Sequence, residues 1–144
     1  MAVVVERTRV ALLPVNTVLV AGATSLFAGA LLSDIAYFRS YEIQWNNFSS
    51  WLLAGGLLVA AFAFLWSIVG LFRTRWRIWP AVAYTVLLLA TWILGFIDAL
   101  VHAKDAWASM PGGLVLSAIV VVLACVSLAF AWAGLRTGVA PRIA

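Results

Sequence analysis

The charged residues of this 144-residue chain leave four long stretches that carry no charge at all. These stretches are residues 10–33, 43–72, 78–97 and 106–135, which contain 24, 30, 20 and 30 residues. A helix needs about 20 mostly apolar residues to cross the hydrocarbon layer of a bilayer. Only helices and closed barrels satisfy their backbone groups in lipid, and continuous apolar runs lack the alternation of barrel strands. The pattern therefore predicts an all-α integral membrane protein, a four-helix up-down bundle.

The predicted spans form a single membrane domain, residues 1–144, and cover approximately residues 15–37, 50–72, 80–102 and 111–135. With 66% hydrophobic residues, the chain leaves no stretch long enough for a soluble domain. Proline is tolerated in the first turn of a helix, and three prolines mark predicted starts: Pro14, Pro80 and Pro111. Residues that commonly cap helices precede the second and fourth spans, namely Asn47, Ser49, Ser50 and Ser109.

The basic residues predict how the chain is oriented. Only Arg39 and Lys104 lie on the side of the loops at residues 38–49 and 103–110. Seven arginines lie on the side of both termini and the middle loop: Arg7, Arg9, Arg73, Arg75, Arg77, Arg136 and Arg142. Because cytoplasmic loops collect Lys and Arg, both termini are predicted to be cytoplasmic. The same rule explains the net charge of +4, and the basic residues form no patch for nucleic acid.

Small residues recur along three of the spans at intervals that place them on one helix face. The first stripe is Ala21, Ser25 and Gly29; the second is Gly56, Ala60, Ala63, Ser67 and Gly70; the third is Ser117, Ala124, Ser127, Ala131 and Gly134. Small residues let helix backbones approach closely in lipid. We therefore expect close packing within the bundle, with one face left for a protein partner or a second copy of the chain.

Two carboxylates fall at the same depth in the predicted bundle. Asp34 and Asp98 each end an odd-numbered span on the outward side, and His102 follows Asp98 by one helical turn. A carboxylate at a helix C-terminus opposes the macrodipole by about 0.3–1 kcal/mol, so a compensating group is expected. The sequence predicts an outward-facing polar pocket; its candidate residues are Asp34, Tyr37, Arg39, Trp45, Asp98 and His102. The alternative is a set of surface ion pairs at the headgroups.

The sequence predicts neither a metal site nor a catalytic site. Asp34, Asp98, His102 and Asp105 carry donors for a hard cation, but they match no ligand-spacing motif. No nucleophile stands with a base in a recognisable arrangement, and a lone histidine beside carboxylates is only a generic acid–base set. The single cysteine, Cys125, is expected to fill space in the fourth span. The chain is therefore not expected to be an enzyme.

Three segments, AGALLSDIAYF, WNNFSSWLLAGGLLVAAFA and ILGFIDALVHAKDAWASMPGGLVLS, resemble bacterial predicted inner-membrane proteins of the domain-of-unknown-function 2231 group. The resemblance implies a multi-pass protein of the bacterial inner membrane, and some members are associated with haem or redox proteins. Many members carry His-Phe-Pro in the first helix, where residues 20–23 here read Val-Ala-Gly-Ala. A haem b held by two histidines cannot form in a chain that has only His102. No cofactor is predicted; a haem would need His102 together with Met110 or with a second subunit.

Three functions remain open at the level of sequence. The first is a small accessory or anchoring subunit of a membrane complex, a redox complex among the candidates, supported by the lack of soluble domains and catalytic motifs. The second is a small transport or binding protein that uses the Asp34 and Asp98 pocket. The third is a haem or quinone electron carrier, which the missing histidine disfavours.

Overall fold

The described part of the chain is almost entirely helical. The computed structural model describes residues 2–73, 78–104 and 106–138, and it describes side chains for residues 15–72, 79–104 and 107–135. Its helices are α1 (Ala2–Ser40), α2 (Ile43–Arg73), α3 (Ile78–His102), the short α4 (Ala106–Ser109) and α5 (Gly112–Gly138). Four segments are long and apolar enough to cross a membrane: Val15–Ser40, Ile43–Phe72, Trp79–His102 and Gly112–Leu135. The predicted all-α class and the four spans are confirmed.

The four long helices form a ring in which each one packs against two neighbours. Helix α1 contacts α2 and α5, and α3 contacts the same two helices. Helices α1 and α3 therefore stand at opposite corners of the bundle. Because the connections alternate direction, α1 and α3 finish at the end of the bundle where α2 and α5 begin. We call this end the cluster end, after the polar side chains that gather there.

The connection between α1 and α2 is much shorter than predicted. Only Tyr41 and Glu42 separate the two helices, so most of the predicted loop at residues 38–49 is helical. The amide of Tyr41 donates to the carbonyl of Tyr37 at 2.7 Å, and a φ of 56° at Tyr41 turns the chain out of the helix. A left-handed residue after the last turn is a common helix stop.

The predicted caps of α2 and α5 are wrong. Asn47, Ser49 and Ser50 lie inside α2, where the hydroxyl of Ser50 donates to the carbonyl of Asn46 at 2.9 Å. Ser109 belongs to α4 and directs its hydroxyl to the side chain of Asn46 instead. Polar side chains at the start of a span can serve as caps or as interior partners, and local sequence does not separate these uses.

Two of the three prolines mark helix starts as predicted, and the third does not. Pro80 lies in the first turn of α3, and Pro111 immediately precedes α5, where its carbonyl accepts from the amide of Val115 at 3.2 Å. Pro14, in contrast, lies within α1, which begins at Ala2. Pro14 therefore marks the start of the membrane-spanning segment at Val15 but not the start of the helix.

The small-residue stripes are buried on two helices but not on the third. On α2, four members of the stripe are buried: Gly56, Ala60, Ala63 and Ser67. On α5, three are buried: Ser117, Ala124 and Ser127. On α1, Ser25 is exposed and only Ala21 and Gly29 are half-buried, so the predicted packing stripe of α1 is not its buried face. The buried face of α1 instead carries larger side chains, among them Val20, Phe27 and Tyr37.

Phe27 explains why α1 does not pack through small residues. Its ring is almost fully buried and lies directly over Gly56 of α2 and beside Gly95 of α3. A Cβ atom built at Gly56 would lie 2.7 Å from the ring, and one at Gly95 would lie 3.6 Å from it. Carbon atoms at optimal contact are about 3.5–4.0 Å apart, so Gly56 is needed to admit the ring. At Gly56, the small-residue stripe of α2 therefore packs against a side chain of α1, the Phe27 ring, and not against the backbone of α1.

Replacing Gly56 by leucine should destabilise the bundle because no side chain fits between α2 and the Phe27 ring. We expect a loss of about 1–3 kcal/mol of folding free energy, seen as a lower thermal unfolding midpoint in detergent. The matched control is Gly70→Leu on the same helix, because a Cβ atom at Gly70 meets no atom within 4 Å. Equal midpoints for the two variants would contradict this packing.

Candidate functional site

Five polar side chains meet inside the bundle at the cluster end, and we call them the His102 cluster. They are Asp34 of α1, Ser49 of α2, Asp98 and His102 of α3, and Ser117 of α5. All are buried, and Asp34, Ser49 and Asp98 have no exposed surface. Each of the four long helices contributes at least one member. Asp98 and His102 share one face of α3 because they are four residues apart.

His102 connects the two helices that stand at opposite corners. Its Nε2 lies 2.8 Å from Oδ1 of Asp34 on α1, and its Nδ1 lies 3.0 Å from the main-chain oxygen of Asp98. The Nδ1 atom is also 3.2 Å from Oδ1 of Asp98, which makes an ion-pair contact within α3. The hydroxyl of Ser49 lies 3.3 Å from Nε2 and donates to the carbonyl of Ala30 at 3.3 Å. Both ring nitrogens are therefore engaged within the protein.

Ser117 joins the two carboxylates from the side of α5. Its Oγ forms hydrogen bonds with Oδ2 of Asp34 and with Oδ2 of Asp98, the second at 2.8 Å. The other oxygen of Asp98, Oδ1, takes part in no hydrogen bond although it is buried. The imidazole, the two carboxyl groups and the hydroxyl thus form one connected network. A buried network of this kind is costly wherever a polar atom lacks a partner.

The structure brings together half of the residues that the sequence proposed for the pocket. Asp34, Asp98 and His102 meet in the cluster, and Tyr37 is buried one turn closer to the cluster end. Arg39 and Trp45 are exposed and take no part in the contacts described for the cluster. The side chain that contacts both carboxyl groups is His102, while Lys104 is exposed. Asp105 lies outside the described residues.

Sequence reasoning missed the two serines of the cluster. Ser49 was predicted to cap α2 and Ser117 to pack in a small-residue stripe. Their depth is evident only from the observed helix starts, because Ser49 is six residues after the start of α2 and Ser117 is five after the start of α5. At 1.5 Å of rise per residue these positions lie at nearly the same level of the bundle.

The surroundings of the cluster differ on its two sides. Toward the cluster end, Asn46 and Ser109 are buried, and the hydroxyl of Ser109 donates to Oδ1 of Asn46 at 3.3 Å. Toward the middle of the bundle the adjacent layer is apolar and consists of Phe27, Leu53 and Val120, all almost fully buried. Buried polar groups therefore lie on one side of the cluster, and buried hydrocarbon side chains lie on the other.

The cluster is not arranged to hold a metal ion or a haem. No group of three or more His, Cys, Asp or Glu among the described residues is placed to bind a metal. The oxygen and nitrogen donors face each other at hydrogen-bond distances, whereas metal ligands converge on one point about 2.0–2.2 Å away. Both nitrogens of His102 are engaged, so an iron atom would have to displace an existing bond. These residues do not fit a haem in this arrangement.

Gly113 allows α5 to approach the His102 ring. A Cβ atom at this position would lie 2.8 Å from Cε1 of His102, whereas the neighbouring Gly112 meets no atom within 4 Å. Gly113→Ala should therefore push the ring or α5 aside. We expect it to cost about 1–3 kcal/mol of folding free energy, seen as a lower thermal unfolding midpoint. Gly112→Ala, the adjacent control, should leave the midpoint nearly unchanged. A Gly113→Ala variant as stable as Gly112→Ala would rule out this close contact.

Comparison with known proteins agrees with this description of the chain. A family model described as predicted membrane protein (DUF2231) matches residues 12–140, which include all four membrane-spanning segments. Neither a curated protein nor a solved structure matches the chain. The family match covers the helices that build the His102 cluster as well as the short α4. The chain therefore belongs to the DUF2231 family of predicted membrane proteins.

Proposed function

We propose that the protein is a small non-enzymatic membrane component that reversibly binds protons at the His102 cluster. The observation that carries this proposal is the burial of an imidazole and two carboxyl groups, hydrogen-bonded to one another, inside a membrane-spanning bundle. Ionisable groups are expensive at membrane depth, and those that face a bundle interior commonly serve proton or ion movement.

A proton suits the cluster better than a larger ligand does. The donors and acceptors are nearly all engaged with one another, so they leave little free bonding capacity for an ion or an organic molecule. The small cavity on the bundle axis is lined by residues such as Thr24, Thr91 and Ser127, and the groove between α1 and α2 is apolar. Neither is lined by a residue of the cluster. A proton needs no cavity, because it binds between two electronegative atoms that already lie at hydrogen-bond distance.

The asymmetry around the cluster supports binding from one side over transport across the membrane. Asn46 and Ser109 offer polar groups toward the cluster end, while Phe27, Leu53 and Val120 close the opposite side. Transporters usually place their sites near the midplane at interrupted helices, and the four long helices here are continuous through the described residues. We therefore propose a proton-binding site that opens toward the cluster end only.

The orientation of the bundle in the membrane follows from the arginine distribution. The positive-inside rule favours cytoplasmic termini and hence an outward-facing cluster end, in a bacterial inner membrane. The site would then respond to the pH of the outer compartment. Our proposal includes an accessory or anchoring role in a membrane complex, because the described residues form four membrane-spanning helices and one short connecting helix. The exposed Ser25 and half-buried Ala21 on α1 leave a small-residue surface for a partner helix or for a second copy.

Hydrogen exchange at His102 tests the proposed function. His102 is the sole histidine, so selective ¹⁵N-histidine labelling in lipid nanodiscs reports on this ring alone. We expect its ring hydrogens to exchange with D₂O much faster than the backbone amides of α3, because exchange through Asn46 and Ser109 requires no unfolding. Asn46→Leu should slow the exchange severalfold, since it replaces a buried polar group on the route by an apolar one. Asn47→Leu, at the exposed neighbouring position, should not.

Exchange of the ring hydrogens at the rate of the α3 amides would contradict the proposal. The ring would then exchange only when the bundle opens, and the cluster would be a structural element alone.

A further inference from the structure

The number of hydrogen-bonding contacts in the His102 cluster can be compared with the number of hydrogens that its groups carry. Apart from the contacts of Ser49, whose own hydrogen goes to the carbonyl of Ala30, four pairs of electronegative atoms in the cluster lie within hydrogen-bond distance, and each pair requires one hydrogen between its members. Two pairs involve the ring: Nε2 with Oδ1 of Asp34 at 2.8 Å, and Nδ1 with the main-chain oxygen of Asp98 at 3.0 Å. Two pairs involve Ser117, whose Oγ meets Oδ2 of Asp34 and Oδ2 of Asp98.

The groups in their simplest states supply too few hydrogens. A neutral imidazole carries one N–H, a serine hydroxyl carries one O–H, and carbonyl oxygens and ionised carboxylates carry none. Two of the four contacts would then bring lone pairs face to face. We infer that the cluster binds two further protons. Imidazole is a stronger base than a carboxylate, so we assign one proton to His102 as an imidazolium and the other to one of the two aspartates as a carboxylic acid.

The count yields a cluster without net charge. With two ionised carboxylates and a neutral ring the buried cluster would carry two negative charges, and two added protons cancel them. Other titratable groups do not supply this compensation. On α1, Tyr37 is a further titratable group buried beside the cluster. Among the described residues of α2 and α5, the buried polar side chains at this level are Asn46, Ser49 and Ser117, and none of them carries a charge. An uncompensated charge buried in a medium of low dielectric is expensive. Electrostatics and hydrogen counting thus agree.

Asp98 is the residue that holds the acid proton. Both oxygens of Asp34 are engaged, one of them by the ring of His102, which identifies Asp34 as the counter-ion. Asp98 is fully buried, and its Oδ1 takes part in no hydrogen bond. Leaving the carbonyl oxygen of a neutral acid without a donor costs less than leaving an ionised oxygen without one. Oδ2 of Asp98 then donates to Ser117, and Ser117 donates to Asp34.

Ser117 makes the acid proton transferable between the two aspartates. In one step the bond between Oδ2 of Asp98 and its hydrogen breaks and Oγ of Ser117 gains that hydrogen. Oγ of Ser117 simultaneously passes its own hydrogen to Oδ2 of Asp34, so the serine is unchanged. The negative charge moves to Asp98, whose Oδ1 already lies 3.2 Å from Nδ1 of His102. An imidazolium–carboxylate contact therefore exists in both states. This inference rests on the proposed proton site and specifies its occupancy.

Two spectroscopic readouts in lipid nanodiscs at neutral pH test the count. The ¹⁵N spectrum of the sole histidine should show hydrogen on both ring nitrogens. The infrared spectrum should contain a carboxylic acid carbonyl band that Asp98→Asn removes. Glu42→Gln, which alters an exposed carboxylate in the α1–α2 connection, is the matched control and should keep the band. Ser117→Ala should shift the band, because the acid loses the acceptor of its hydrogen bond.

The outcomes separate this inference from the proposed function. A histidine with one N–H would overturn the assignment of an imidazolium, and a protein without an acid band would overturn the count of two protons. A band that persists in Asp98→Asn would overturn the assignment to Asp98. If Asp98→Asn does not fold, the Ser117→Ala spectrum still decides, since an unshifted band would exclude a bond between the acid and Ser117. Two protons that do not exchange with D₂O would support the count and defeat the proposed function.

Discussion

The hydrogen bond between His102 and Asp34 joins α1 and α3, one of the two pairs of opposite helices that have no extensive contact of their own. Helices in lipid gain little from the hydrophobic effect when they associate, so packing and polar contacts must hold them. The neighbouring pairs have such packing, for example where the Phe27 ring of α1 lies over Gly56 of α2. Helices α1 and α3 stand at opposite corners, and they also meet where the Phe27 ring lies beside Gly95 and where Asn16 bonds to Tyr84. Gly113 keeps α5 close enough to enclose the bond between His102 and Asp34.

Ser117 and Ser49 complete the enclosure from the remaining two corners. Because each of the four long helices contributes to the cluster, a shift of any one of them along its axis would leave a buried polar atom without a partner. A buried group in that state costs roughly 1–3 kcal/mol, and more if it is charged. The cluster therefore favours one relative height of the four helices at this end of the bundle.

The sequence predicted the features that follow from length along a helix and missed those that depend on rotation about its axis. The four spans follow from the gaps between charges, and the equal depth of Asp34 and Asp98 follows from helical rise. The buried face of α1 could not be predicted, because a helix in lipid is apolar on all sides and its hydrophobic pattern hardly distinguishes the face toward the bundle from the face toward lipid. Ser25 was therefore predicted to be buried, whereas Phe27 occupies the interior. Ser49 was missed for a related reason, since serine near a span's start equally suggests a cap.

The central claim is that His102 and Asp34 hold two opposite helices together, and a double-mutant cycle measures this most directly. The folding free energies of the wild type, Asp34→Asn, His102→Gln and the double variant would be compared in a lipid environment. The account predicts that the two losses are not additive, with a coupling energy of about 1 kcal/mol or more. Tyr84→Phe, which removes a hydroxyl bonded to Asn16 near the opposite end, should combine additively with Asp34→Asn. A coupling energy near zero between Asp34 and His102 would contradict the account.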